Sequence, residues 1–188
     1  IIGFGLGIWI GGIFTYKNFN KIAARGYKLS LLPVGPNKEL FLKSLKKFGS
    51  LYDQVLLMGY PLFVKDILDE AVDYGIDWKD YRIRILTATE GFSEEFREYL
   101  AKAVGMKNSL NDIINIYGTV ELGTMAHETE IASRIRVAAS KNSTIAKNIF
   151  GTSNRLPTLA QYHPYIIYFE QIENHFLSLG DKTVSSQE

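Results

Sequence analysis

The sequence predicts an α/β domain in which a mostly parallel sheet carries helices on both faces. From Tyr27 onward, short apolar runs alternate with amphipathic stretches of helical period, a pattern typical of strand–helix–strand units. Four such runs joined by helical crossovers indicate parallel strands that are covered on both sides. With 188 residues, 46% of them hydrophobic, the chain is long enough for one sizeable core.

The predicted strands each end at a turn signal and lie at residues 28–34, 54–58, 82–87 and 113–117. Asn37 and Ser93 are predicted N-caps of the helices after the first and third strands, and Pro61 suits the first turn of the helix after the second. In the third helix, Phe96, Tyr99, Leu100 and Ala103 are expected to face the core. Glu94 and Glu95 would then lie in its first turn, where the helix dipole favours anions.

The C-terminal part has a different pattern. Helices are expected at residues 128–139 and 145–150, followed by strands 165–169 and 175–179 around a turn at 172–174. This pattern predicts an antiparallel hairpin that either joins the sheet domain or begins a further subdomain. We therefore expect an α/β core over residues 1–155 and a β-rich extension over residues 156–188, with a frayed polar tail from residue 180.

The opening run, residues 1–14, is apolar but shorter than the roughly 20 residues that a membrane-spanning helix needs. A buried helix is expected there, and no membrane span. Because the chain opens on Ile1 with no basic leader, we expect an internal piece of a longer protein. The glycines of this run do not fit a dinucleotide-binding GxGxxG loop, since position 8 is Ile, and close helix packing explains them better.

Composition argues against several classes of partner. Lys and Arg total 21 against 20 Asp and Glu, without a basic stripe, so nucleic acid is not expected. The absence of cysteine fits a reducing compartment, and a cytoplasmic protein is expected. His127 lacks the second ligand of a zinc motif and is expected to line a pocket or form a hydrogen bond instead. His163 and His175 are expected to be structural and isolated from each other.

Ligands of open parallel sheets bind beyond the carboxyl ends of the strands, which here gives the loops at 34–36, 59–61, 87–92 and 117–123. In the last loop, Tyr117 offers a ring for a purine, Thr119 a hydroxyl for a phosphate, and Glu121 a carboxylate for magnesium. Taken alone, this segment is equally compatible with a tight turn at Gly118 and a helix beginning at Glu121.

Neighbouring segments strengthen the nucleotide interpretation. Residues 86–97, LTATEGFSEEFR, resemble the "GGE, S-E-E-x-R" stretch of phenylacetate-CoA ligase-like enzymes, and residues 115–121, NIYGTVE, resemble their tyrosine motif. Gly59-Tyr60-Pro61, followed by the Gly-Ile-Asp at 75–77, and the LPVGPN loop at 32–37 are similar to two further segments in the same order. The chain thus resembles this branch of the adenylate-forming, AMP-binding superfamily over about residues 3–171.

The resemblance implies ATP-dependent activation of a carboxylic acid as acyl-adenylate, followed by thioester formation with coenzyme A. It implies these roles: Tyr117 stacking on adenine, Ala88, Thr89 and Glu90 lining the adenine pocket, Gly118 and Thr119 approaching the α-phosphate, and Glu121 binding magnesium. Tyr60 and Pro61 either line the acyl pocket or only form a turn. Two alternatives stay open, a nucleotide-binding or interaction module without catalysis and acyl transfer to a protein acceptor.

Three departures from the family pattern limit this expectation. Val120 stands where the family usually has a threonine that contacts the α-phosphate, and valine cannot donate a hydrogen bond. Ala88 and Thr89 stand where glycine is usual, which narrows the supposed adenine pocket. The phosphate loop, the ribose-binding aspartate and the mobile domain with its lysine are expected outside this chain, so the chain alone is expected to be inactive.

Overall fold

The computed structural model describes residues 1–152, 154–172, 175–178 and 181–185. Its helices are α1 (Ile10–Ala24), α2 (Lys38–Phe48), α3 (Pro61–Glu70), α4 (Glu94–Ala103), α5 (Ser109–Asp112), α6 (Glu130–Lys141) and α7 (Ser143–Phe150). Its strands are β1 (Val55–Gly59), β2 (Ile83–Ala88), β3 (Ile113–Thr119), β4 (Gly123–His127), β5 (Gln161–Tyr162), β6 (Phe169–Ile172), β7 (His175–Ser178) and β8 (Asp181–Ser185).

The main sheet has five strands in the order β1-β2-β3-β4-β5. The first three are parallel, and Ile85 of β2 lies between Leu57 of β1 and Ile113 of β3. Strand β4 then returns antiparallel to β3, and the short β5 pairs antiparallel with β4. The predicted α/β class is confirmed, and the sheet is mixed because β4 and β5, which the sequence did not predict, follow the parallel strands.

Strand alternation divides the core between the two faces of the sheet. Leu57 belongs to the larger cluster, where Leu45 of α2, Ile67 of α3 and Leu100 of α4 are also buried. Its neighbour Met58 points to the other face and packs with Ile2, Phe4 and Phe19, the last of which lies on α1. Helices therefore cover both faces, with α1 on one and α2 to α4 on the other.

The predicted caps are present. Asn37 accepts a hydrogen bond from the Leu40 amide at 2.9 Å, and Ser93 accepts one from the Phe96 amide at 3.3 Å. Each satisfies an amide that the first turn of a helix leaves unpaired. Pro61 begins α3, and Gly75 ends the 3₁₀ turn after it in the left-handed conformation, with φ +65°.

The predicted core face of α4 is partly wrong. Its buried residues are Glu94, Arg97, Leu100 and Ala101, while Phe96 and Ala103 are only partly buried. Tyr99 is exposed and donates a hydrogen bond to Asp69 on α3. The face is rotated because Glu94 and Arg97 have buried partners that compete with the apolar stripe for the interior.

Two expectations for the N-terminal part are also wrong. Residues 28–34 form no strand, and only Pro33 makes an isolated bridge, to Ile2. The edge of β1 is taken instead by residues 1–3, since the Gly3 amide donates to the Met58 carbonyl at 2.7 Å and the Met58 amide to the Ile1 carbonyl at 2.9 Å. Residues 1–14 are not a buried helix, because α1 begins at Ile10 and only Gly12 within it is buried.

Among the helices of the described residues, none has both the length and the apolar character needed to cross a membrane.

The C-terminal hairpin is confirmed, but its first strand begins at Phe169 instead of the predicted residue 165. Strand β6 pairs antiparallel with β7, from Phe169 opposite Ser178 to Ile172 opposite His175. Residues 164–166 form a turn instead of the beginning of a strand, and Glu173 and Asn174 lie outside the described residues. Within the expected frayed tail, residues 181–185 form β8 against β7, whereas Gly180 and residues 186–188 lie outside the described residues.

Replacement of a core leucine tests the packing of α4 on the sheet. Leu100 is fully buried, so Leu100→Ala should lower the free energy of unfolding by about 2–5 kcal/mol through lost burial and the cavity left behind. Leu62→Ala on α3 is the matched control, since Leu62 is 61% exposed and should change it by less than about 1 kcal/mol. Urea unfolding measures both variants, and an equal loss of unfolding free energy in Leu100→Ala and Leu62→Ala would contradict this packing.

Candidate functional site

A cleft of about 180 Å³ opens at the carboxyl ends of the parallel strands. Five residues singled out from the sequence line it, although they follow three different strands: Tyr60 after β1, Ala88 and Thr89 at β2, and Gly118 and Thr119 at the end of β3. The cleft therefore lies where parallel sheets bind their ligands.

The other wall comes from the segment that begins the chain. Phe4, Ile10, Gly11, Phe14 and Thr15 line the cleft from this side. The Phe4 and Tyr60 rings meet edge to face, with centroids 5.6 Å apart, and the Tyr60 hydroxyl accepts a hydrogen bond from the Gly5 amide at 3.2 Å. The sequence did not predict this wall, because helix packing across a sheet leaves no local pattern.

The lining is apolar and hydroxylic. The remaining lining residues are Ile116, Val120, Gly123 and Thr124, so the cleft has four threonines and no charged side chain. Such a surface accommodates an uncharged, largely apolar group and offers hydroxyls at a few fixed points.

A β-hairpin between β3 and β4 forms the end of the cleft. Gly118 lies against Gly123, and a Cβ on Gly118 would approach the Gly123 carbonyl oxygen to 2.1 Å. The Thr119 hydroxyl accepts a hydrogen bond from the Leu122 amide at 3.2 Å, which holds the turn at residues 120–122. The alternative in which Glu121 begins a helix is wrong, since Glu121 is exposed at the tip of this turn.

Four of the predicted site residues do not line the cleft. Tyr117 is 49% exposed and, by strand alternation, lies on the face of the sheet opposite to Ile116. The pairing of β3 with β4 shifts register between Tyr117 and Gly118. Pro61 is buried at the start of α3, while Glu90 and Glu121 are exposed. The predicted site is thus divided between the cleft and the opposite side of the same sheet edge.

Thr89 has an uncommon backbone conformation. Its φ is +77°, the only positive value at a non-glycine residue in the described part of the chain. For a β-branched residue this conformation is strained, and such residues cluster at functional sites. Glycine is usual at this position in the family that the sequence resembles. The threonine at position 89 therefore introduces backbone strain in addition to narrowing the pocket.

A buried network of charges lies behind the strand ends and was not predicted from the sequence. Arg97 Nε lies 2.8 Å from Glu94 Oε2, and Arg97 Nη2 lies 2.8 Å from Glu128 Oε1. Arg136 Nη1 lies 2.9 Å from Glu94 Oε1 and 3.1 Å from Glu128 Oε1. All four side chains are at most 5% exposed. The Glu94–Arg97 spacing of three residues on one helix was the available signal.

The network also binds backbone. Arg97 donates to the Ile113 carbonyl at 2.8 Å, Arg136 to the Phe92 carbonyl at 2.6 Å, and the Asn115 amide donates to Glu128 Oε2 at 2.9 Å. Burial opposes the charge on Arg97, but the Glu128 and Glu94 carboxylates outweigh it and raise the pKa of Arg97. The guanidinium therefore stays charged.

The magnesium prediction rests on Glu121 alone. Within the described residues, no group of three or more His, Cys, Asp or Glu side chains converges as a metal site would require. Magnesium commonly takes one or two carboxylates and completes its shell with water and substrate phosphates. An exposed carboxylate at the tip of the β3–β4 turn fits that role.

His127 and His163 stack with ring centroids 5.0 Å apart and an interplanar angle of 18°. The sequence did not predict this contact, which forms because His163 directly follows β5 and β5 pairs with β4. Burial, and to a lesser extent the charge of His163, lowers the pKa of His127.

No protein-family model matches the chain, and a search of curated proteins finds no match. Among solved structures, the crystal structure of apo MatB from Rhodopseudomonas palustris matches with a TM-score of 0.34 and 14% sequence identity. The match covers 54% of this chain and 18% of that one, so it spans less than a fifth of MatB's length. A likeness of this size carries no argument about activity.

Neutralising one member of the buried network should be costly. Glu128→Gln leaves two buried guanidinium groups facing one carboxylate, and we expect a loss of about 3–5 kcal/mol in the free energy of unfolding. Glu98→Gln is the control, because Glu98 is exposed and its ion pair with Lys102, at 3.9 Å, should contribute less than about 1 kcal/mol. Chemical denaturation measures both variants, and a comparable loss of unfolding free energy in Glu128→Gln and Glu98→Gln would contradict the network.

The histidine pair predicts a pH dependence of stability. Because the pKa of His127 is lower in the folded chain than its ordinary value of about 6.5, the unfolded chain binds more protons between these two values. Stability present above about pH 6.5 should therefore fall as the pH drops through this range. His127→Gln should make the melting temperature less sensitive to pH between about 7.5 and 5.5, and an unchanged slope would contradict the assignment.

Proposed function

We propose that this chain forms the acid-activating part of an ATP-dependent, AMP-forming ligase that resembles phenylacetate-CoA ligases and acts within a longer protein. The observation that carries the proposal is the convergence of Tyr60, Ala88, Thr89, Gly118 and Thr119 on one cleft at the carboxyl edge of the sheet. The product would be an acyl-adenylate, and coenzyme A the subsequent acceptor of the acyl group.

The cleft would hold the acyl group. Its aromatic walls and lack of charged side chains favour an uncharged hydrocarbon or aromatic body. Its volume of about 180 Å³ favours a small acid over a long acyl chain. The carboxylate of the acid would remain at the mouth, beside Gly118 and Thr119.

The nucleotide would lie across the same edge. Tyr117 presents a half-exposed ring on which adenine would stack, and the exposed Thr89–Glu90 loop lies on the neighbouring strand end. The Thr119 hydroxyl accepts from the Leu122 amide and keeps its own proton, which it would donate to an α-phosphate oxygen. Thr119 would thus supply the contact that Val120 cannot make.

In this reaction the chain would mainly orient the carboxylate of the acid and the phosphates of ATP. A carboxylate oxygen of the acid would attack the α-phosphorus while the bond to pyrophosphate breaks, giving acyl-adenylate and pyrophosphate. Glu121 would help hold magnesium, which would neutralise charge on the phosphates. The residues of the cleft would exclude water and align the carboxylate, and the Thr119 hydroxyl would stabilise charge on the phosphate.

One observation favours a second candidate, a nucleotide-binding module without catalysis. Val120 is exposed in the β3–β4 turn and provides no hydroxyl at the position where the resembling ligases usually have one. Such a module would bind ATP through Tyr117 but would not support turnover.

Replacement of Tyr117 tests the nucleotide half of the proposal. Tyr117→Ala should weaken ATP binding by about 5- to 100-fold, because stacking of a base on an aromatic side chain contributes about 1–3 kcal/mol. Tyr165→Ala is the matched control, since Tyr165 is 99% exposed and does not line the cleft. Isothermal titration calorimetry in the presence of magnesium measures both. Equal affinity of the Tyr117→Ala and Tyr165→Ala variants would contradict adenine stacking.

Pyrophosphate exchange distinguishes the two candidates. The full-length protein should exchange labelled pyrophosphate into ATP with some member of a panel of small aromatic and aliphatic acids, and Thr119→Val should slow the exchange about 10-fold or more. ATP binding without exchange across the panel would favour the non-catalytic module.

A further inference from the structure

We propose that Asn115 is a positioning residue that holds Thr89 in its left-handed conformation and thereby sets the shape of the cleft. The role in ligand binding rests on the proposed function, whereas the mechanical role does not. Asn115 lies on β3, is 4% exposed, and does not line the cleft itself.

Thr89 needs an external constraint. Its φ of +77° is disfavoured for a β-branched side chain, and both Thr89 and Glu90 are exposed, so the loop has little packing of its own to hold the strain. Strained residues persist only where neighbouring structure fixes them.

Asn115 provides that constraint on both sides of Thr89. Its Nδ2 donates to the Glu90 carbonyl at 3.0 Å, and its Oδ1 accepts from the Thr87 hydroxyl at 3.0 Å. Thr87 is fully buried at the end of β2. The Asn115 amide group therefore holds the side chain of Thr87, before Thr89, and the backbone carbonyl of Glu90, after it.

Asn115 is itself immobilised by the buried ion network. Its backbone amide donates to Glu128 Oε2 at 2.9 Å, and its carbonyl accepts from the Glu128 amide at 2.8 Å. Arg136, which binds Glu128, also donates to the Phe92 carbonyl at 2.6 Å. The loop at residues 89–92 is thus attached at both ends to one buried structure.

The consequence reaches the cleft directly, because Ala88 and Thr89 line it. It also reaches the proposed nucleotide site, because the exposed Thr89–Glu90 loop would lie beside the nucleotide. Without the Asn115 amide, the Thr89 backbone is free to relax to a negative φ, and its side chain then leaves its place in the wall. Glycine adopts the left-handed conformation without strain and does not need the amide.

A double-mutant cycle tests this dependence. Asn115→Ala, Thr89→Gly and the double variant are compared with the wild-type chain for ATP affinity by calorimetry and for thermal unfolding. Asn115→Ala should weaken ATP binding about 10-fold with Thr89 present and less than about 2-fold in the Thr89→Gly background, a coupling of the size found between residues in one hydrogen-bond network. Asn108→Ala is the control, because Asn108 is exposed and its side chain makes no capping hydrogen bond.

A second variant removes the donor to Glu90 and keeps the acceptor for Thr87. Asn115→Asp keeps an acceptor for the Thr87 hydroxyl, but its carboxylate cannot donate to the Glu90 carbonyl. It should therefore weaken ATP binding like Asn115→Ala, again only when Thr89 is present. An equal loss of affinity in both backgrounds would overturn the positioning role.

Thermal unfolding distinguishes failure of this inference from failure of the proposed function. With Thr89 present, loss of the Asn115 amide also relieves backbone strain, so Asn115→Ala should lower the melting temperature less than in the Thr89→Gly background. Such coupling in a chain that binds no ATP would refute the nucleotide site and support the positioning role. Additive melting shifts would overturn the positioning role even if ATP binds.

Discussion

The arrangement of the site depends on the buried ion network of Arg97, Arg136, Glu94 and Glu128. Removing four charges from water is expensive, and such a network persists only when every charge has close, well-oriented partners. Here two guanidinium groups face two carboxylates within 2.8–3.1 Å, while Arg136 Nε and Glu94 Oε1 make no hydrogen bond with any residue that the structure describes. Since the four residues come from α4, α6 and the link after β4, their pairing fixes how these elements meet β3.

This network supports the site from one face of the sheet, while the cleft lies on the other face and at the edge. Glu128 binds the Asn115 backbone through both its side chain and its amide. Asn115 in turn lies two residues before Tyr117 and three before Gly118. A site whose residues are fixed by buried contacts loses little order when a ligand binds. The buried ion network therefore orders the residues around the cleft without touching it.

Local signals carried most of the successful predictions from the sequence. The strands at 54–58, 82–87 and 113–117 and the caps at Asn37 and Ser93 depend on nearby residues, and all of them are present. Strand β4 was missed because it forms by pairing with β3, which includes a close approach of Gly123 to Gly118. The predicted strand at 28–34 does not form, because residues 1–3 occupy the edge of β1. For the site, strand ends predicted five lining residues, whereas Phe4 and Phe14 depend on tertiary packing.

The division of Tyr117 and Gly118 between two faces has a geometric consequence for the proposed reaction. An acyl-adenylate joins a base and an acyl group through one phosphate, so its two ends must lie apart with the phosphorus between them. Consecutive residues of a strand point to opposite faces. Tyr117 would therefore meet the base on one face, and Gly118 and Thr119 would meet the phosphate at the edge, with the acyl group in the cleft beyond. Under the proposed function, the end of β3, where the pairing with β4 shifts register between Tyr117 and Gly118, would align three parts of the ligand.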